Sequence, residues 1–480
     1  MNKLEGYIPK DKRKNILLLS DDLRLHSGIA TMSRAIVEGT AHRLNWVQLG
    51  AALKHHEEGK RFDLSEDINK RFGIEDSSVM VQPNTGYGDA IKVRNLITEF
   101  KIDAVMIFTD PRYWTWLFDI EREIRSKVPI VYYNIWDDYP SPFYNRPFYD
   151  SCDVLLGISK QTVNINKLVL GDRAEGKILK YIPHGINKKH FYPVYKQEEL
   201  DIKEATEAQM GVTDYEFKAF FNSRNIARKH AADLIFAWRQ FCDSIGEEKS
   251  KKACLIMHTA PIDPNGTNLE KVREAFCKQG IHNVFFSADK LNTPQMNMLY
   301  NIADVTILPS SAEGWGLSLT ESMMAGTPII ANVTGGMQDQ MRFVDKKGKW
   351  IDFDSDFPSN HRGTYKECGR WATPVFPSNI SVQGSVPTPY IFDDRCSPED
   401  IAKAIEEVYN MSPEERKERG MAGREFACSD EARFTAEGMC KSMIENIEEG
   451  INTFTPRSKF DLIKIEDKES DFVKHKTYGY

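Results

Sequence analysis

Apolar runs of strand length alternate with stretches of helical period from near residue 14 to the mid-330s. This alternation predicts parallel sheets covered by helices. A first series of strands is expected at residues 15–19, 46–49, 79–81, 104–108, 129–135, 154–158 and 178–182, with helices at 30–38, 90–100 and 161–170 between them. A second series follows an acidic, helix-prone stretch at 197–210, with strands at 217–221, 253–257, 284–286, 305–308 and 328–331. The pattern predicts an α/β protein of two Rossmann-like domains, residues 1–195 and 205–434, facing each other across a cleft. Residues 340–396 hold Trp350 and Trp371 but show no clear period, so they read as an irregular insertion in the second domain. Beyond Phe434 a helix is expected at 436–447, followed by a charged tail.

Composition narrows the function classes. Hydrophobic residues make up 41% and aromatic residues 11% of the 480, which argues against disorder. The 63 basic and 70 acidic side chains leave a net charge of -7, with no basic stripe of the kind nucleic-acid binders carry. Nucleic acid therefore enters only as a substrate to be modified. No apolar run is long enough for a transmembrane segment, and the first residues lack the apolar core of a signal peptide, so a cytoplasmic location is expected. The eight cysteines form no CxxC and no pair at zinc spacing, which favours reduced thiols and no metal.

In doubly wound sheets ligands gather beyond the carboxyl ends of the strands, so the loops there are where chemistry is sought. After the strand at 305–308 the chain reads Glu313-Gly314-Trp315-Gly316-Leu317-Ser318-Leu319-Thr320-Glu321. The glycines let the backbone approach a ligand, and the following helix aims free N–H groups at it. Glu313 and Glu321 would then accept hydrogen bonds from hydroxyls of one polyhydroxylated ligand; alternatively, both are first-turn acids complementing the helix dipole. After the strand at 217–221, Arg224 and Lys229 are placed to clamp a diphosphate, or they are surface bases.

Taken together, the pattern E-G-[aromatic]-G-L-x-x-x-E-[small]-M-x-A-G-x-P with Arg224 and Lys229 upstream resembles the donor domain of retaining nucleotide-sugar glycosyltransferases of GT-B architecture, in particular glycosyltransferase family four. The close match covers residues 217–336. The resemblance implies that Arg224 and Lys229 contact the donor diphosphate, that Glu313 lies near the donor sugar, and that Glu321 binds the nucleotide ribose. The amides of Gly314, Trp315, Gly316 and Leu317 would hold sugar hydroxyls and phosphate. Gly28, in Ser27-Gly28-Ile29-Ala30, resembles the family's glycine loop, and residues 182–187 resemble its interdomain turn. The resemblance also implies that the tail, about 435–480, packs back on the first domain through residues such as Phe460 and Ile463.

The first domain departs from the family in one respect. Members often carry a histidine near the reaction centre, whereas the corresponding loops here read Thr109-Asp110-Pro111-Arg112 and Ile135-Trp136-Asp137-Asp138. Asp110 and Asp137 are eligible to touch the transferred sugar, or they cap the next element. The many rings between residues 113 and 149 offer stacking surfaces or core packing.

The function implied is transfer of a sugar from a nucleotide-sugar co-substrate, with a UDP-sugar favoured, to an unidentified acceptor hydroxyl on a glycan, a metabolite or a modified DNA base. Configuration would be retained, with no cofactor and no metal. A non-catalytic protein that binds a nucleotide sugar or glycan is the alternative. Asp352-Phe353-Asp354-Ser355-Asp356 has the letters of a metal-binding D-x-D, but it lies beyond the second strand series. No G-x-G-x-x-G follows a predicted strand, which disfavours an oxidoreductase. The insertion at 340–396 is expected to select the acceptor or meet a partner, or else to cap the sheet edge.

Overall fold

The computed structural model describes residues 6–353, 359–361 and 363–458. The first sheet is built from β1 (Lys14–Asp21), β2 (Leu44–Ala52), β3 (Phe62–Asp63), β4 (Val79–Thr85), β5 (Ala104–Phe108), β6 (Ile130–Asn134), β7 (Val154–Gly157) and β8 (Ile178–Tyr181). Its order is β3-β4-β2-β1-β5-β6-β7-β8, parallel throughout except for the short edge strand β3. The second sheet holds β9 (Phe217–Asn222), β10 (Ala253–His258), β11 (Asn283–Ser287), β12 (Val305–Leu308), β13 (Ile329–Asn332) and β14 (Ala372–Val375). It is all parallel, in the order β11-β10-β9-β12-β13-β14. Helices cover both faces of each sheet, so the central strands are buried on both sides and read as unbroken apolar runs, as in Ile16 to Leu19 and Phe220-Phe221.

In both sheets the winding reverses beside the first strand of the series, between β1 and β5 and again between β9 and β12. Strands that wind away in opposite directions leave a crevice beyond their carboxyl ends. The loops carrying Gly28 and Asp110 therefore flank one crevice, and those carrying Lys229 and Glu313 flank the other.

Residues 340–396 are more regular than their sequence suggests. They contain β14, which extends the second sheet, and an antiparallel hairpin of β15 (Asn379–Ser385) and β16 (Thr388–Arg395). β14 reads Ala-Thr-Pro-Val, and its proline is tolerated because the strand lies at the sheet edge. Residues 354–356 of the D-x-D stretch lie outside the described residues, as do Phe460 and Ile463 of the tail.

The chain crosses between the domains twice, and the crossings run side by side. The Ile186 amide donates to the Phe434 carbonyl (2.9 Å), and the Ala436 amide donates to the Ile186 carbonyl (3.0 Å). After the second crossing, the helix Ala436–Thr453 lies on the first domain against the helix Gly28–Thr40. There Cys440 Sγ meets the Ala35 carbonyl at 3.5 Å, and Arg43 grips Glu448 at 2.7 Å. Gly185 is what lets the crossings touch, since a Cβ there would stand 2.3 Å from the Thr435 carbonyl oxygen and 2.8 Å from Met439 Cβ.

Because the first obstacle is backbone, Gly185→Ala must push the crossings apart. A stability loss of about 2 kcal/mol is expected, the usual cost of overpacking a close contact. Chemical denaturation of the full chain checks this, and an unchanged midpoint would contradict it.

Candidate functional site

Lys229 and Glu313 face each other beyond the carboxyl ends of β9 and β12. The Lys229 ammonium donates to Glu313 Oε1, Ser310 Oγ donates to the same oxygen (3.0 Å), and Arg228 Nη1 reaches Oε2 (3.3 Å). Side-chain exposure is 10% for Lys229 and 8% for Glu313, so the pair is largely out of water. Burial alone would push the Glu313 carboxyl up, but Lys229 and Arg228 outweigh it and hold the group at about 2. Burial pulls the Lys229 ammonium down, against the attraction of Glu313.

The loop from Glu313 to Leu317 is fixed from beneath. Gln340 Nε2 donates to the Trp315 carbonyl (2.5 Å), and Trp315 Nε1 donates to Thr320 Oγ1 (2.9 Å). The Trp315 ring is 3% exposed and packs edge-on against Phe434, so only its backbone is offered to a ligand. Gly316 takes a φ of 86° to start the helix Leu317–Ala325. Gly335 and Gly336 lie on this loop so closely that a Cβ on either would fall within 2.2 Å of the Glu313 or Gly314 carbonyl oxygen.

Two helix N-termini meet across the cleft. Gly28 opens the helix Gly28–Thr40, whose cap Ser27 accepts the Ala30 amide (3.0 Å) and donates to Asp21 (2.7 Å). A Cβ on Gly28 would lie 3.8 Å from Leu317 Cδ1, at the start of the opposing helix. Unsatisfied N–H groups of both helices thus border one space, an arrangement suited to an anion.

Facing the Lys229 cluster from the first domain is the loop after β6. A Cβ on Gly314 would stand 2.9 Å from the Ile135 carbonyl, which fixes how near this loop comes. Asp137 and Asp138 follow. Burial pushes both carboxyls up, each carboxyl acts on the other, and Arg228 pulls both down. The Asp137 carbonyl accepts from Gln161 Nε2 (2.5 Å), and the Asp138 carbonyl accepts from Trp136 Nε1 (2.9 Å).

The remaining sequence candidates are dispersed. Arg224, 62% exposed, is paired with Asp263 (2.8 Å) rather than with Glu313. Asp110 caps the turn Pro111–Trp114 by accepting the Arg112 amide (3.0 Å), and its carboxylate is also gripped by the Arg112 guanidinium. Glu321 sits one turn into its helix and accepts from Tyr300 OH (2.6 Å). Of the aromatic stretch, Trp114, Tyr139 and Tyr149 are core, while Tyr113 is half exposed and stacks on Tyr87 at 4.2 Å.

Sequence reasoning missed three residues. Arg228 stands inside the Arg224 and Lys229 spacing, and with Lys229 it forms a basic doublet in the loop after β9, which is a readable signal. Asp138 is the buried neighbour of Asp137 and carries no sequence signal of its own. His184, from the interdomain turn, hydrogen-bonds Tyr133 OH (2.9 Å) and stands 6.5 Å from the Trp315 ring. Burial pushes it down to about 3, so it is neutral at ordinary pH. An imidazole thus does stand between the domains, supplied by the turn and not by the loops after β5 or β6.

The hairpin β15–β16 ties the two sides together. Asp394, 1% exposed, is held in the second domain by Thr334 (2.6 Å) and Asn360 (2.9 Å). Two residues earlier the Phe392 amide donates to the Tyr139 carbonyl (2.6 Å) of the first domain. Tyr390 OH donates to the Ser141 carbonyl (3.2 Å), and Arg112 Nη1 donates to the Pro387 carbonyl (2.6 Å).

Residues 203–355 match the family model described as glycosyl transferases group 1. The chain is 26% identical over 206 residues to an uncharacterized glycosyltransferase of Methanocaldococcus jannaschii, covering 42% of this chain and 47% of the relative. It is 29% identical over 150 residues to an alpha-monoglucosyldiacylglycerol synthase of Acholeplasma laidlawii, covering 31% and 34%. The chain thus spans less than half the length of these relatives. Among solved structures, HepE of Anabaena, in complex with UDP and glucose, superposes with a TM-score of 0.60 at 14% identity, covering 91% of this chain and 100% of that one. Sucrose-phosphate synthase of Thermosynechococcus elongatus gives 0.61 at 16%, covering 91% and 99%. At such identities the likeness concerns the fold, which is the GT-B architecture. Among the described residues no helix is long and apolar enough to cross a membrane.

Because Glu313 is held at about 2 when folded, its contribution to stability is complete above the ordinary carboxylate range and is lost as pH falls from about 5 toward 2. The shift corresponds to about 3 kcal/mol. The stability gap between wild type and Glu313→Gln should therefore be widest near neutral pH and narrow on acidification. Urea melts at several pH values measure it, and a gap independent of pH would contradict the assignment.

Proposed function

We propose that this protein is a retaining glycosyltransferase that moves a sugar from a nucleotide-sugar donor to an acceptor hydroxyl, acting without metal or cofactor. The observation that carries the proposal is the buried Lys229–Glu313 pair with Arg228, set beyond the switch point of the second sheet and facing Asp137 across the cleft. The family match over residues 203–355 supports the same chemistry. UDP is the favoured nucleotide, because the similar HepE structure holds UDP.

In this reading the diphosphate lies between the N-termini of the helices at Gly28 and Leu317. Lys229 binds one of its oxygens, and Arg224 exchanges Asp263 for another. The bond from the anomeric carbon to the phosphate oxygen breaks, and negative charge grows on the diphosphate. Fixed cations and amides stabilise that charge more in the transition state than in the ground state. The acceptor oxygen attacks from the face the diphosphate leaves, and its proton passes to the departing phosphate oxygen, so configuration is retained without an enzyme nucleophile. Glu313 and the amides of Gly314, Trp315, Gly316 and Leu317 hold sugar hydroxyls, and Glu321 takes the ribose. Asp137 contacts the transferred sugar from the first domain. Asp110, engaged by Arg112, serves the acceptor side by holding that loop. The hairpin β15–β16 roofs the acceptor side and selects what enters there. A cytoplasmic location suits a nucleotide-sugar supply.

Incubation with a panel of nucleotide sugars, followed by mass spectrometry, tests the reading. Turnover that survives EDTA supports it, whereas tight binding without turnover of any donor would make the protein a nucleotide-sugar binder. Arg224→Ala and Lys229→Ala should each lower kcat/KM by about 100-fold, the scale expected when a transition-state charge contact is removed. Near-normal kcat/KM in both variants would remove the diphosphate assignment.

The hairpin makes a separate prediction. Replacing residues 381–391 with a short Gly/Ser linker keeps the Asp394 anchor while removing the contacts to Ser141 and Arg112. Slow hydrolysis of the donor should persist and transfer to the acceptor should fail. Loss of hydrolysis in a folded variant would instead assign the hairpin to the donor site.

A further inference from the structure

Glu321 is a carboxylate with an unusual set of neighbours. Its Oε2 accepts the Tyr300 phenol at 2.6 Å, and among the described residues no cation pairs with it. Tyr300 comes from the helix Thr293–Ile302 and is its one titratable partner among the described residues. Asn222, at the end of β9, reaches the same phenol but is uncharged. The helix Pro413–Ala427, packed on the other side of the Glu321 helix, directs Arg424 at the Phe191 and Met324 carbonyls.

The phenol has no freedom of its own. Asn222 Nδ2 donates to Tyr300 OH at 2.8 Å, so the single phenolic proton is left for Glu321. The ring is fully buried, edge-on to Phe220 (5.2 Å) and to Phe191 (5.8 Å), and its backbone carbonyl accepts from Thr327 Oγ1 (2.7 Å). A chain of hydrogen bonds therefore runs one way, from β9 through Tyr300 into Glu321.

We infer that Tyr300 is the positioning residue for the ribose-binding carboxylate: it holds Oε2 and leaves Oε1 to the nucleotide. This rests on the reading of the second-domain cleft as a nucleotide-sugar site. A ribose diol offers O–H donors, which a carboxylate accepts and a carboxylic acid accepts poorly. Burial pushes the Glu321 carboxyl up to about 7, and the Tyr300 hydrogen bond is what restrains it. The charged, ribose-binding form is present above that value and is lost as pH falls through it. Removing the phenol lets the carboxyl climb, so the loss begins at higher pH.

The test titrates UDP, GDP and ADP, each beside its 2′-deoxy form, into wild type and Tyr300→Phe by calorimetry from pH 6 to 9. Wild type should prefer the ribose form by about tenfold, the worth of a hydrogen bond to a charged group. That preference should fade as pH drops through about 7. In Tyr300→Phe the preference should be mostly gone at pH 7 and return toward pH 9. If the variant folds poorly, Asn222→Ala, which unanchors the phenol, should shift the same limb in the same direction by less. Equal weakening of ribose and deoxyribose forms, or an unshifted limb, would overturn the inference alone. Failure of wild type to bind any of the three nucleotides would overturn the donor reading and this inference with it.

Discussion

An ammonium and a carboxylate can be buried together only if each satisfies the other and the remaining lone pairs find donors. Lys229 and Glu313 meet that condition because the two loops bearing them leave adjacent strands at the point where the sheet reverses its winding. Ser310 and Arg228 complete the set, and Gln340 with the two glycines at 335 and 336 fixes the loop backbone beneath. The neighbouring parts of the second-domain cleft are built around this pair. The helix at Leu317 starts where the Glu313 loop ends, and that loop meets the first domain at Gly314.

Much of this was legible in the chain. Strands buried on both faces appear as continuous apolar runs, which is why β1, β5 and β12 could be located to within a few residues. The glycines around Trp315 and the acids at 313 and 321 were readable because a tight loop before a helix demands particular residue types at particular spacings. β14 and the hairpin were not readable. β14 has four residues and a proline, and β15 is mostly exposed, so neither shows the alternation a half-buried strand imposes.

Site residues were hidden for a different reason. Tyr300 reads as a core aromatic, and it is one; its hydroxyl matters only because packing brings it to Glu321. His184 lies in a turn far from the other candidates in sequence and reaches the cleft only when the two crossings align. Arg228 was masked by a spacing pattern that selected its neighbours. In each case the missing information is tertiary contact, which local composition does not encode.

The helix Ala436–Thr453 covers a face of the first domain whose own last strand ends at Tyr181. During synthesis, the first domain's strands are complete long before their cover exists. At about 5–20 residues per second the interval is on the order of tens of seconds. Throughout it the contacts of Gly39 and Val154 with Cys440 and Gly450 are missing, and the apolar surface beneath them faces water. The nascent chain therefore carries an exposed apolar groove that its own last helix must reach before another chain does, and the ribosome's pace becomes part of what protects this fold from aggregation.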